Sequence, residues 1–192
     1  MEVEIVEIKE EEKEVLLNLI EKYLYEFSQW EKTDVNVEGN YGYEYLDCYF
    51  EEENRYPYFI KVDGKLAGFA MISDYPEMPE ETTDYCLSDF FMMYKYRRGG
   101  VGRKAVNSVL DKHHGKWQLK RHPHNTVSVK FCRMMNVLFL CVGKIQSGIR
   151  NGSRGNMKHI WKQENVVLLS RRSRKKSRNS RWKNVTLSGK IH

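Results

Sequence analysis

The spacing of apolar residues changes period several times in the first 131 positions. Val3 and Ile5 alternate with Glu2 and Glu4, which predicts a half-buried strand over Val3–Ile8. From Glu10 the period lengthens. Leu16, Leu19, Ile20, Tyr23, Leu24 and Phe27 fall on one face of an amphipathic helix. Residues 28–56 are rich in Tyr, Asn and acids and predict a loop with a second, shorter helix. Two β-rich runs then flank Asp63-Gly64, a dipeptide favoured in two-residue hairpin turns. After a polar loop, Tyr85–Met93 is a mostly apolar run of strand length, as expected of a central strand covered on both faces. Val101, Ala105, Val106, Val109 and Leu110 mark a further helix that stops near His113-His114-Gly115. Trp117–His122 reads as another strand, and Asn125 as the N-cap of a helix that follows.

Alternating strands and helices predict an α/β fold. The 192 residues suit one domain with at most an appendage, and 41% hydrophobic content supplies a core. No apolar run reaches the roughly 20 residues of a membrane span, and the acidic start MEVEIVEIKEEEKE lacks the features of a signal peptide. Cys48, Cys86, Cys132 and Cys141 form no CxxC pair, which suits reduced thiols in a cytoplasm. The paired histidines at 113–114 and 122–124 lack neighbouring ligands at metal spacing, so no metal is expected and they read as structural or surface residues.

Charge divides the chain. The net +6 combines −8 over residues 1–131 with +14 over residues 132–192, where Glu164 is the one acid. This places a domain over 1–145 and a basic, poorly ordered tail over 146–192. Val137–Val142 is expected to add a strand beside Trp117–His122, with few contacts to the fold beyond about residue 145; Val166–Leu169 is a short strand candidate. Two readings of the tail stay open. One is a nucleic-acid-binding arm centred on Arg171–Arg181; the other, which is favoured, is a segment foreign to the fold.

Chemistry concentrates in Arg97-Arg98-Gly99-Gly100-Val101-Gly102-Arg103-Lys104, between the buried strand and a helix. Amides at a helix start lack intrahelical acceptors, and glycines let a phosphate approach them. The turn is not a Walker loop, because Arg103 follows Gly102 and no GK[ST] occurs. A Rossmann turn would follow the first strand of its unit, whereas here several strand candidates come first.

Arg97-Arg98-Gly99-Gly100-Val101-Gly102, preceded by Tyr96, resembles the [Q/R]-x-x-G-x-[G/A] coenzyme A signature of the GNAT N-acetyltransferases. The order of elements over about residues 1–135 resembles that superfamily as well, which implies its α/β fold with a mixed central sheet flanked by helices. The resemblance implies acetyl-CoA as cosubstrate and an amine as acceptor, in a monomer or homodimer. It also implies that a bulge splays the fourth and fifth strands, and that the main chain of Phe91, Met92 and Met93 pairs with the pantetheine arm. Amides of Arg98, Gly99, Gly100, Val101, Gly102, Arg103 and Lys104, with the Arg97 side chain, would meet the pyrophosphate. A second motif would fall on Asn125, Ser128 and Phe131, with Asn125 binding the cofactor arm. Cys132 stands where many members have a proton-donating Tyr, and is the candidate general acid. Asp89 is the candidate for the base or for the group that orients the amine. Tyr41, Tyr43, Tyr45 and Tyr49 are candidates for the acceptor side, and the acidity of residues 1–131 favours a cationic amine. The alternative function is nucleic-acid binding through the tail on an inactive scaffold.

Overall fold

The computed structural model describes residues 1–75, 83–122, 124–134, 140–142 and 165–170. In chain order the elements are β1 (Val3–Glu7), α1 (Lys13–Glu31), α2 (Cys48–Glu51), β2 (Arg55–Val62), β3 (Lys65–Ser73), β4 (Tyr85–Met92), α3 (Val101–Lys112), β5 (Lys116–Arg121), α4 (Thr126–Met134), β6 (Leu140–Val142) and β7 (Asn165–Ser170). The strands lie in the order β1-β2-β3-β4-β5-β7-β6. Strands β1 to β4 are antiparallel neighbours, and β4 and β5 run parallel. The sheet is therefore mixed, with helices on both faces. No helix among the described residues is long and apolar enough to cross a membrane.

Each layer follows from the sequence pattern. Leu16, Leu19, Ile20, Tyr23 and Leu24 of α1 are buried against Phe59, Phe69, Met71 and Phe91. On the opposite face Val106, Val109 and Leu110 of α3 meet Tyr58, Ile72, Leu87, Trp117 and Leu119. Asp63 and Gly64 both take positive φ, +48° and +75°, so the hairpin they close twists with its strands.

One irregularity in β4 decides where its side chains point. Met71 pairs with Asp89, but Ile72 pairs with Leu87, so Ser88 is an extra residue. A regular strand would put Leu87 and Asp89 on the same face. The bulge reverses the alternation: Leu87 packs on the α3 side, while Asp89 turns toward α1. The parallel pairing with β5 also stops there, after Leu87 opposite Leu119. Beyond this point β4 and β5 share no ladder, which leaves the β4 edge from Ser88 to Met92 unpaired on the β5 side.

The expectation for residues beyond about 145 is corrected at one segment. Asn165–Ser170 pairs along all of β5, in the place expected for Val137–Val142, and Leu140–Val142 pairs with the far edge of β7. The basic average of the tail masks this run of four apolar residues in six. The free edge of β5 offers main-chain groups that such a run can satisfy. Residues 143–164 and 171–192, with the Arg171–Arg181 run, lie outside the described residues.

Candidate active site

Asp89 is 8% exposed, and both of its carboxylate oxygens accept phenol hydrogen bonds. The Tyr23 hydroxyl donates to Oδ1 at 2.7 Å and the Tyr43 hydroxyl to Oδ2 at 2.6 Å. A buried carboxylate needs such donors, and charge-assisted bonds of this length are strong ones. Burial, followed by the charge of Asp89, holds the Tyr43 hydroxyl well above the usual phenol range, so it remains a donor. Tyr43 sits on the loop between α1 and α2. Glu21 of α1 fastens that loop by accepting from the amides of Tyr41 (2.8 Å) and Gly42 (2.9 Å). Tyr23 lies in the apolar stripe of α1, a position its periodicity marks as core. Of the other tyrosines of this region, Tyr49 is buried in the α1-side core, and Tyr41 bonds Ser28 at 3.2 Å.

The glycine turn has the conformation its sequence calls for. Arg98 and Gly100 take φ of +66° and +78°, and α3 begins at Val101. The first bond into the helix runs from the Lys104 amide to the Gly100 carbonyl at 3.1 Å. The amides of Val101, Gly102 and Arg103 thus precede the helical ladder and are free to meet an anion. Lys104 is the exception among the residues expected to offer amides, because its own is already used. A Cβ placed on Gly99 or Gly100 would meet nothing within 4 Å, so the turn is open above. Gly102 has a different reason. A Cβ there would lie 3.2 Å from the Phe131 ring, which stacks on Phe90 at 5.8 Å. The second motif therefore packs α4 onto the start of α3.

Two further expectations are revised by geometry. The Arg97 guanidinium turns away from the helix start. Its Nε donates to the Met92 carbonyl at 2.6 Å, one terminal nitrogen meets Glu26 at 2.5 Å, and it lies 4.1 Å over the Tyr94 ring. The preceding 3-10 turn, Tyr94–Tyr96, brings it back over the strand end. Among Phe91, Met92 and Met93, the Phe91 carbonyl abuts Gly68 and the Met93 amide bonds Ala67 at 2.9 Å, both toward β3. By alternation, Phe90 and Met92 are the residues whose main chain faces the open edge.

Asn125 caps α4, accepting from the Ser128 amide at 3.0 Å, while the Ser128 hydroxyl returns a bond to the Asn125 carbonyl at 2.8 Å. The Cys132 side chain lies outside the described residues. Among the described residues no group of three side chains could hold a metal ion.

An anion-accepting helix start thus lies beside an unpaired strand edge that carries a buried carboxylate. The family model described as Acetyltransferase (GNAT) family matches residues 19–136, and the chain belongs to that family. Among curated proteins none matches significantly. Solved structures share the fold. PH1933 from Pyrococcus horikoshii OT3 is 21% identical with a TM-score of 0.61, over 89% of this chain and 99% of that one. YncA from Salmonella typhimurium, solved with acetyl-CoA, is 12% identical with a TM-score of 0.57, over 91% and 96%. The aminoglycoside acetyltransferase AAC(6')-Ib, in complex with coenzyme A, is 15% identical with a TM-score of 0.61, over 88% and 95%.

Proposed function

We propose that this acetyltransferase moves the acetyl group of acetyl-CoA to a primary amine of a cationic small molecule or peptide. The observation that carries the reading is the open edge of β4 running from Asp89 to the glycine turn. The residues present fit the cosubstrate: amides of Val101, Gly102 and Arg103 for its pyrophosphate, with the unobstructed turn above them, and the Phe90 main chain with the Met92 amide for its amide-bearing arm, the Met92 carbonyl being held by Arg97. Acetyl-CoA supplies an activated thioester. The chain must hold it, exclude water, and present a neutral amine to it. Asp89 serves the acceptor side. Both of its oxygens are bonded to phenols, and its charge, relayed to the partly exposed Tyr43, attracts and orients an ammonium group. The reading includes a cytoplasmic location, which the widely spaced cysteines of the sequence, with no CxxC pair, support.

Calorimetry with coenzyme A and turnover of acetyl-CoA against a panel of amines test the reading. Arg98→Glu places an acid beside the free amides and is expected to weaken coenzyme A by about tenfold or more, with unfolding unchanged. No binding at millimolar coenzyme A by the parent chain, or equal binding by the variant, would contradict it.

A further inference from the structure

We infer that His122, oriented by Glu31, is the proton acceptor that makes the acceptor amine neutral; this rests on the acetyl-transfer reading above. His122 directly follows β5, at the end that has separated from β4. It is 7% exposed, and its Nε2 lies 2.8 Å from the Glu31 carboxylate at the C-terminus of α1. The Trp30 ring stacks on it in near-parallel fashion, at 5.3 Å and 10°. Its Nδ1 accepts the His124 amide at a long 3.2 Å. These contacts settle the tautomer: Nε2 carries the hydrogen and donates to Glu31, and Nδ1 keeps its lone pair. A carboxylate on one nitrogen and a weakly engaged lone pair on the other is the arrangement of an oriented base.

The position fits the task. Phe27 is 4.5 Å from the Tyr23 ring and 6.3 Å from His122, while Tyr23 bonds Asp89. Asp89 of β4 and His122, just after β5, therefore flank the same aromatic pair of α1. Asp89 has both oxygens engaged by short bonds; the imidazole has one nitrogen held only loosely. Among the described side chains, the titratable groups facing His122 are Glu31 from α1 and His124 from the turn. Burial outweighs the favourable charge of Glu31, so the imidazole is less basic than usual and is neutral at pH 7.

The step balances simply. One N–H bond of the ammonium breaks, its electron pair stays on nitrogen, and the proton bonds Nδ1. The resulting imidazolium is countered by Glu31 and returns its proton to water between turnovers. The amine lone pair is then free to attack.

The test uses the full chain and an amine that it acetylates. His122→Gln is expected to lower kcat at pH 7 by about 30- to 100-fold, with KM for acetyl-CoA unchanged. The pH profile should change form. The parent loses kcat in acid, where His122 protonates, and burial moves that loss below the range of an ordinary imidazole. The variant should instead gain about tenfold per pH unit toward alkaline pH, as the amine deprotonates by itself. Glu31→Gln should give an intermediate loss. Imidazole added to His122→Ala should restore turnover, which no packing role predicts and which keeps the test decisive if His122→Gln folds poorly. A parent-like pH profile in His122→Gln, or no imidazole rescue in a folded His122→Ala, overturns the assignment while acetyl transfer stands. Failure of the parent to bind coenzyme A overturns both.

Discussion

Replacing Asp89 with Asn is expected to cost about 100-fold in kcat/KM for the acceptor amine while leaving the dissociation constant for coenzyme A within about twofold. The two effects separate because Asp89 and the glycine turn lie at opposite ends of the open β4 edge. Tyr23 and Tyr43 each donate to a different oxygen of Asp89. An amide offers one acceptor and one donor, so one phenol loses its partner and meets an N–H group instead. Leaving a buried hydroxyl unsatisfied costs about 1–3 kcal/mol, so the variant should also unfold at lower denaturant. Tyr43→Phe provides the partition. It removes one donor but keeps the charge, and should retain most of the stability while raising KM for the amine. Steady-state kinetics with varied amine, beside a urea melt, read both quantities. If Asp89→Asn destabilises the chain but keeps parent kcat/KM, the cluster is a packing device and the acceptor lies elsewhere.

Much of this site can be read along the chain, and the parts that cannot be have a physical reason. The glycine turn is local: its strand, its glycines and its helix are contiguous, so pattern and motif suffice. Asp89 is visible as a carboxylate in an apolar strand, a residue that must find donors if buried. Its donors are 66 and 46 residues away; Tyr43 falls among the tyrosines expected on the acceptor side, but nothing along the chain marks either donor as a partner of Asp89. Tyr23 satisfies the helical period as a core residue would, because only the hydroxyl at its tip is functional. Arg97 shows the limit of reading by motif. A basic residue next to a phosphate turn suggests a phosphate contact, but Glu26, one turn beyond Lys22 on α1, competes for it and the fold brings the two together. His122 reads as one histidine of a polar turn, and its pairing with Glu31 depends on α1 crossing the end of β5. The strand at Asn165–Ser170 was legible as an apolar run, but its place beside β5 depends on an edge that becomes available only when the sheet assembles.

Gly68→Ala is expected to be the most disruptive glycine-to-alanine change among the described residues. A Cβ at Gly68 would lie 2.0 Å from the Phe91 carbonyl oxygen and 3.1 Å from the Met92 Cα. Both are main-chain atoms, so no rotamer change relieves the contact. The strands β3 and β4 would have to separate by about 1 Å or more, straining the Gly68–Met92 pair and the Met93-to-Ala67 bond beside it. A cost of about 3 kcal/mol or more follows, which for a chain of this size lowers the melting temperature by roughly 6–12 °C. Gly39→Ala is the comparison. Its φ of +81° makes alanine unfavourable, but a Cβ there meets nothing within 4 Å, so the loss should stay near 1 kcal/mol. The disruption at Gly68 should also reach function, because the same movement displaces Met92, whose main chain faces the open edge. Coenzyme A binding by the folded fraction of Gly68→Ala, measured below its melting temperature, should therefore weaken as well. Equal melting temperatures for Gly68→Ala and the parent would show that the strands do not approach this closely, and that the β4 edge is set by some other contact.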